Sequence, residues 1–188
     1  DSFYYNNQYF KFNGDTVLID SSLNSIGCDS VFITNIKVIP FYNDTITIDH
    51  AVTSIDGGSN TDTLIVATGS GTIDMSTQTI NAVETLTVNS GSTLKISDEQ
   101  ATSIATVDGS GTIEVIIDGN SSADLTHITT STKVATVTAD STFTGTFASD
   151  TIVQVDDAAT LTANYSKLTG FTVNETGTTT NYQPATTD

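Results

Sequence analysis

Beyond about residue 45 the chain alternates apolar and polar residues in short runs, separated by clusters of Gly, Asn, Asp and Ser. A period of two sends successive side chains to opposite faces of a strand. The segment TLTVNSGSTLKI, Thr85 to Ile96, is the clearest case. Leu86, Val88, Leu94 and Ile96 face one way, and Thr87, Thr93 and Lys95 the other, on either side of Asn89-Ser90-Gly91-Ser92. Taken alone, the segment is a β-hairpin or one corner of a chain that winds repeatedly around an axis.

Spacing decides between the two. A unit made of an apolar residue, one residue, Val, four turn-formers, Thr and an apolar residue recurs as LTVNSGSTL from Leu86, ATVDGSGTI from Ala105, ATVTADSTF from Ala135 and VQVDDAATL from Val153. FTVNETGTT from Phe171 loses the last apolar position, and IVATGSGTI from Ile65 carries one extra residue. The threonines of these units, Thr72, Thr93, Thr112, Thr142, Thr160 and Thr178, lie 21, 19, 30, 18 and 18 residues apart. A repeat of that length with two or three short strands is one coil of a β-solenoid, or parallel β-helix. The pattern predicts an all-β chain with solenoid repeats over residues 45–175, of either hand, with Phe143 and Leu161 inside and Thr144 and Thr162 outside. Within the 30-residue interval, DGNSSADLTHI (Asp118 to Ile128) is expected to be a loop inserted into one coil, or a coil whose corner has lost the pattern.

Residues 1–44 differ. They hold Phe3, Tyr4, Tyr5, Tyr9, Phe10, Phe12, Phe32, Phe41 and Tyr42, with strands predicted at Thr16–Ile19 and Val31–Ile39 and Pro40 closing the region. This is read as an aromatic-rich N-terminal cap or interface segment, with Tyr4, Tyr5, Tyr9 and Phe10 as the candidate contact residues. Residues 176–188 have almost no apolar side chains and read as a polar tail or linker.

Composition narrows the function. Against 22 acidic residues stand five Lys and no Arg, a net charge of −17. Nucleic acid and anionic lipid need cationic groups to displace counterions, so neither is an expected partner. No apolar run approaches the roughly 20 residues of a membrane helix, so membrane insertion is not expected. No basic-then-apolar start marks a signal peptide, and a chain starting at Asp1 reads as a mature form or an excised piece. Cys28 is the one cysteine, which leaves no intramolecular disulfide framework and reads as a small buried hydrophobe. Calcium, cationic surfaces and uncharged glycans stay open.

The candidate chemistry is acidic. Asp56, Asp62, Asp108, Asp140, Asp156 and Asp157 sit at turns, where carboxylates and carbonyls can hold calcium. Asp156 and Asp157 would point to opposite faces of a strand, which prevents a catalytic carboxylate pair; at a corner both would face water. His50 and His127 are far apart and no hydrolase or zinc motif accompanies them. β-Helical polysaccharide enzymes use Arg or Lys as base or transition-state support, and this chain has no Arg. The threonines raise the alternative of an ice-binding face. Thr87, Thr106, Thr136 and Thr172 would form one outer rank, interrupted by Gln154, and the residues two places earlier, Thr85, Ile104, Val134, Ile152 and Gly170, supply no second hydroxyl rank.

Two resemblances add to this. GGSNTDTLI, Gly57 to Ile65, resembles the calcium-binding nonapeptide of bacterial RTX proteins, with Gly57, Gly58, Asp62 and Leu64 matching and Asn60 at the place of the third glycine. In that family calcium is shared between turns of adjacent coils. Thr79 to Val115 resembles the Thr-rich β-repeat segments of bacterial S-layer-like and RTX-type surface proteins. The resemblance implies an extracellular structural or adhesive role on a bacterial surface. With the repeats it gives the expectation of a non-enzymatic, secreted, cell-surface structural module, whose solenoid ends allow self-association into a layer or filament and whose turn carboxylates can take calcium. The alternatives are an adhesin that binds glycan or a host surface, and an ice-binding or polysaccharide-degrading β-helix.

Overall fold

The computed structural model describes residues 2–5, 8–11, 35–37, 43–163, 165–168 and 171–175. The strand expected at 16–19, Cys28, Pro40 and the tail at 176–188 lie outside the described residues, as do the side chains of the N-terminal aromatics. In chain order the strands are β1 (Ser2–Tyr5), β2 (Gln8–Lys11), β3 (Asn35–Lys37), β4 (Thr45–Ile48), β5 (Ser54–Asp56), β6 (Thr63–Val66), β7 (Gly71–Asp74), β8 (Thr79–Asn81), β9 (Thr85–Val88) and β10 (Ser92–Ser97). A short helix α1 (Asp98–Ser103) is followed by β11 (Thr106–Asp108), β12 (Thr112–Ile117), β13 (Thr132–Val137), β14 (Ser141–Phe143), β15 (Ile152–Val155) and β16 (Leu161–Ala163). Helix α2 (Tyr165–Leu168) and β17 (Thr172–Glu175) complete the described chain.

Apart from the antiparallel hairpin β1–β2, every named pairing is parallel between strands one coil apart. The fold is a β-solenoid with three sides. One side is the six-stranded sheet β7-β10-β12-β13-β15-β17, and a second is the four-stranded sheet β4-β6-β9-β11. The third carries β3-β5-β8 and, further along, β14-β16. Because β3 pairs with β5, the parallel stack reaches back to Asn35, inside the segment expected to cap it.

Helix α1 takes the third-side position in its own coil. Gln100 Nε2 donates to the carbonyls of Met75 (3.0 Å) and Gln78 (2.6 Å) in the coil before it. Its start is written in the sequence as a capping box: Gln100 N donates to Ser97 Oγ (3.2 Å) and Ser97 N to Gln100 Oε1 (2.8 Å). That signal, Ser-x-x-Gln after a strand, stands in a chain whose periodicity otherwise points to strands.

The interior is built from ranks of aliphatic side chains, each seated on its counterpart one coil away. Ile46, Leu64, Leu86 and Val107 form one rank, and Ile96, Val115, Ala135 and Val153 another; all are buried. Removing each larger side chain from water contributes roughly 1.5–3 kcal/mol. Toward the C-terminal coils, where Ala135, Ala159 and Ala163 leave more room, Phe143 and Phe147 stack with centroids 4.1 Å apart and Phe171 meets Phe147 edge-on at 5.7 Å.

The repeat is real, but its copies do not all occupy the same sides. In the copies from Ile65, Leu86 and Ala105 the Val strand (β6, β9, β11) lies on the four-stranded sheet and the Thr strand (β7, β10, β12) on the six-stranded one. In the copies from Ala135 and Val153 the Val strand (β13, β15) lies on the six-stranded sheet and the Thr strand (β14, β16) on the third side. The 30-residue interval is therefore one coil and one further side: Thr132 pairs with Thr112, and Thr142 lies on the strand that follows. The segment 118–128 is a coil with an altered corner and not an extruded loop. Ser121, Asp124 and Ile128 bridge to Phe143, Thr146 and Val107, while Ala123, Leu125 and Ile128 are buried.

A second slip is local. Val88 and Val107 align in the repeat, yet Val107 pairs with Leu86 while Thr112 keeps its pairing with Thr93. The corner between β11 and β12 is thus two residues shorter than the one below it. Glycine makes this fit: a Cβ on Gly109, whose φ is +115°, would stand 2.2 Å from the Val88 carbonyl oxygen, and one on Gly111 2.4 Å from that of Asn89.

Leu161 is fully buried in β16 and Thr162 beside it points outward, so Leu161→Asp should destabilise the fold by about 3–5 kcal/mol and Thr162→Asp by less than about 1 kcal/mol. Urea unfolding followed by circular dichroism checks the pair; equal effects would mean that the inward register is misassigned. Close stacking gives a second test at corners. A Cβ on Gly145 would lie 1.9 Å from the Ala123 carbonyl oxygen, whereas one on Gly119 meets nothing within 4 Å. Gly145→Ala is expected to cost about 3 kcal/mol and Gly119→Ala close to nothing, by the same measurement.

Candidate functional surfaces

The aspartates expected to hold calcium are dispersed over several corners. Among the described residues no three His, Cys, Asp or Glu side chains converge as a metal cluster. Asp56 ends β5 and accepts from Gly58 N at 3.2 Å. Asp108 ends β11, where its Oδ1 accepts from Thr87 Oγ1 at 2.7 Å. Asp156 and Asp157 lie at the corner after β15, Asp157 exposed and Asp156 accepting from Gln154 Nε2 at 3.3 Å.

Asp62 is fully buried. Its Oδ1 accepts from Asp44 N at 2.8 Å, its own N–H donates to Glu84 Oε2 at 2.7 Å, and its Oδ2 has no hydrogen-bond partner. The second oxygen faces Gly57, where a Cβ would stand 3.0 Å from it. The glycine and aspartate that gave the nonapeptide resemblance are thus packed against each other in one corner. The Asp62 Oδ2 is an acceptor without a partner inside the corner, and among the described residues no group of three or more His, Cys, Asp or Glu side chains gathers around it.

Asp62, with several other corner side chains, has a structural task. At a corner the chain turns away from the sheet, and its N–H groups need another acceptor. A side-chain oxygen one coil away supplies it repeatedly: Asn43 Oδ1 accepts from Thr61 N (3.2 Å), Asn120 Oδ1 from Thr142 N (3.2 Å) and Asp140 Oδ1 from Thr160 N (2.9 Å). Asp62 and Glu84 do the same. These five side chains are links between coils, a role that the spacing of the repeat did not reveal.

The outward positions differ from side to side. On the six-stranded sheet Thr72, Thr93, Thr112 and Thr132 form one rank, and beside it runs the charged rank Asp74, Lys95 and Glu114. Lys95 Nζ donates to Glu114 Oε1 at 3.0 Å, and Glu114 also accepts from Thr136 Oγ1 at 2.9 Å. On the four-stranded sheet Thr45, Thr63, Thr85 and Thr106 stand in register, with Thr47, Ile65, Thr87 and Asp108 in register beside them. The outer rank expected from sequence is overturned. Thr106 pairs with Thr85 and not with Thr87, Thr136 belongs to the six-stranded sheet, and Thr172 there pairs with Ile152. The physical reason is the two slips described above, the shortened glycine corner and the change of side at the fourth copy.

His127 Nε2 lies 2.9 Å from the Ala101 carbonyl oxygen, and His50 is paired with its neighbour Asp49. Tyr4 and Tyr9 are partners across the β1–β2 hairpin, as are Phe3 and Phe10, while Tyr5 faces Gln8. No helix among the described residues is long and apolar enough to cross a membrane. No family model, curated protein or solved structure matches the chain.

Helix α1 carries a titration that can be checked. Burial pushes the Asp98 carboxyl above its ordinary range; Ser121 offsets part of that rise and Glu99 adds to it. The folded state therefore holds this proton more tightly than the unfolded chain, and the associated stability is lost as pH rises through the raised value. Asp98→Asn should melt close to wild type near about pH 3 and above it near pH 7. Thermal unfolding at both pH values tests this; a variant less stable than wild type at neutral pH would contradict it.

Proposed function

We propose that the chain is a non-enzymatic structural module, a rigid acidic rod of a secreted bacterial surface protein that associates with itself into a layer or filament. The observation that carries the reading is the six-stranded parallel sheet, which ties successive coils by backbone hydrogen bonds and whose last strand among the described residues is β17. Such a stack resists bending and shear because every coil is fixed to its neighbours along its strands. A terminal strand of a sheet is also a template for pairing with another chain.

Calcium enters the proposal as a counter-ion at the acidic surface, bridging carboxylates of neighbouring rods. Twenty-two acidic residues against five lysines leave a net charge of −17, which keeps rods apart by mutual repulsion. Ionic strength alone screens the same repulsion, so calcium and sodium must be compared at matched ionic strength. Sedimentation velocity and thermal melting should show larger particles and a higher Tm in millimolar calcium. Monodisperse single rods with the same Tm in both salts, over the whole accessible concentration range, would refute both the assembly and the calcium bridge.

A further inference from the structure

We propose that the four-stranded sheet presents an ice-binding face. Its outward positions from β4 to β11 form two adjacent ranks, Thr45-Thr63-Thr85-Thr106 and Thr47-Ile65-Thr87, paired residue by residue across four coils. Asp108 closes the second rank and holds the Thr87 hydroxyl at 2.7 Å. In a chain of net charge −17, the seven positions before Asp108 carry no charge. The equivalent region of the six-stranded sheet carries Asp74, Lys95 and Glu114.

The lattice of these groups is what an ice surface requires. Stacked strands repeat at about 4.8 Å and alternate residues along a strand at about 6.6 Å, so the ranks form a rectangular array. Hexagonal ice has oxygen repeats of similar size along two perpendicular directions. Threonine supplies a hydroxyl that can take a lattice position and a methyl that orders water around it, and Ile65 preserves the β-branched shape. Branching at Cβ leaves few χ1 rotamers, and the parallel sheet fixes the backbone, so little freedom remains to be lost on binding. Charged side chains would oppose docking because their hydration shells do not match ice; the ranks are uncharged up to Asp108, which bounds the array in the fourth coil. The inward partners Ile46, Leu64 and Leu86 are fully buried, which holds the array from beneath.

The test is uptake of the protein into a slowly grown ice hemisphere, with thermal hysteresis as a second readout. Wild type should be enriched in the ice several-fold over a non-binding control protein and should shape growing crystals. Thr85→Lys and Thr85→Tyr, at the centre of the array, should fall to the control level. Thr112→Lys, at an outward position of the six-stranded sheet, should bind as wild type. Circular dichroism melts identify any variant that fails to fold, and the two Thr85 substitutions give two chances of a folded one. Folded wild type excluded from ice as fully as the control would overturn the proposal, and so would equal loss in Thr112→Lys. The outcome does not depend on self-association, since uptake is measured on rods kept dispersed in low salt.

Discussion

Parallel, in-register hydrogen bonding between coils is the constraint on which the rest of the structure depends. Strands inside a sheet, such as β9, β10 and β12, are bonded to the strand one coil before and to the strand one coil after, so successive coils must carry these strands at matching places. The core follows from this. Inward side chains face copies of themselves along the axis, which is why Val, Ile, Leu and Ala fill the interior without the large aromatic residues of a closed globular core. Where small residues accumulate near the C-terminal coils, the stack of Phe143 and Phe147 fills the space.

Corners absorb what the strands cannot. Their lengths vary, and the slack is taken up by glycines packed against backbone, such as Gly109 over Val88 and Gly145 over Ala123. Their N–H groups, directed away from the sheets, are satisfied by Asn, Asp and Glu oxygens from neighbouring coils. The acidity of the chain thus has a structural component. Carboxylates placed for hydrogen bonds at corners accumulate into the net charge of −17.

The three sides then acquire different chemistry from one winding. The six-stranded side carries a row of alternating charges, Asp74, Lys95 and Glu114, held together across coils. The four-stranded side, built from the same kind of strand, is uncharged over three full coils and part of a fourth.

The sequence by itself determined the class of fold and the sense of each strand. Alternation in TLTV and STLKIS is enough to send Leu86, Val88, Leu94 and Ile96 inward, because pleating leaves a side chain two choices. The distances between threonines likewise announced a winding chain. Which side each copy occupies was decided by the tertiary structure alone. Val-x4-Thr is conserved in spacing between the copies at Leu86 and Ala105, yet a two-residue slip separates Val88 from Val107 because Gly109 and Gly111 permit a tighter corner against backbone that is distant in sequence. The change of side at Thr142 and the burial of Asp62 beneath its neighbours have the same origin. Corner geometry depends on contacts between coils, about twenty residues apart, and a linear pattern carries the period of the winding without its phase.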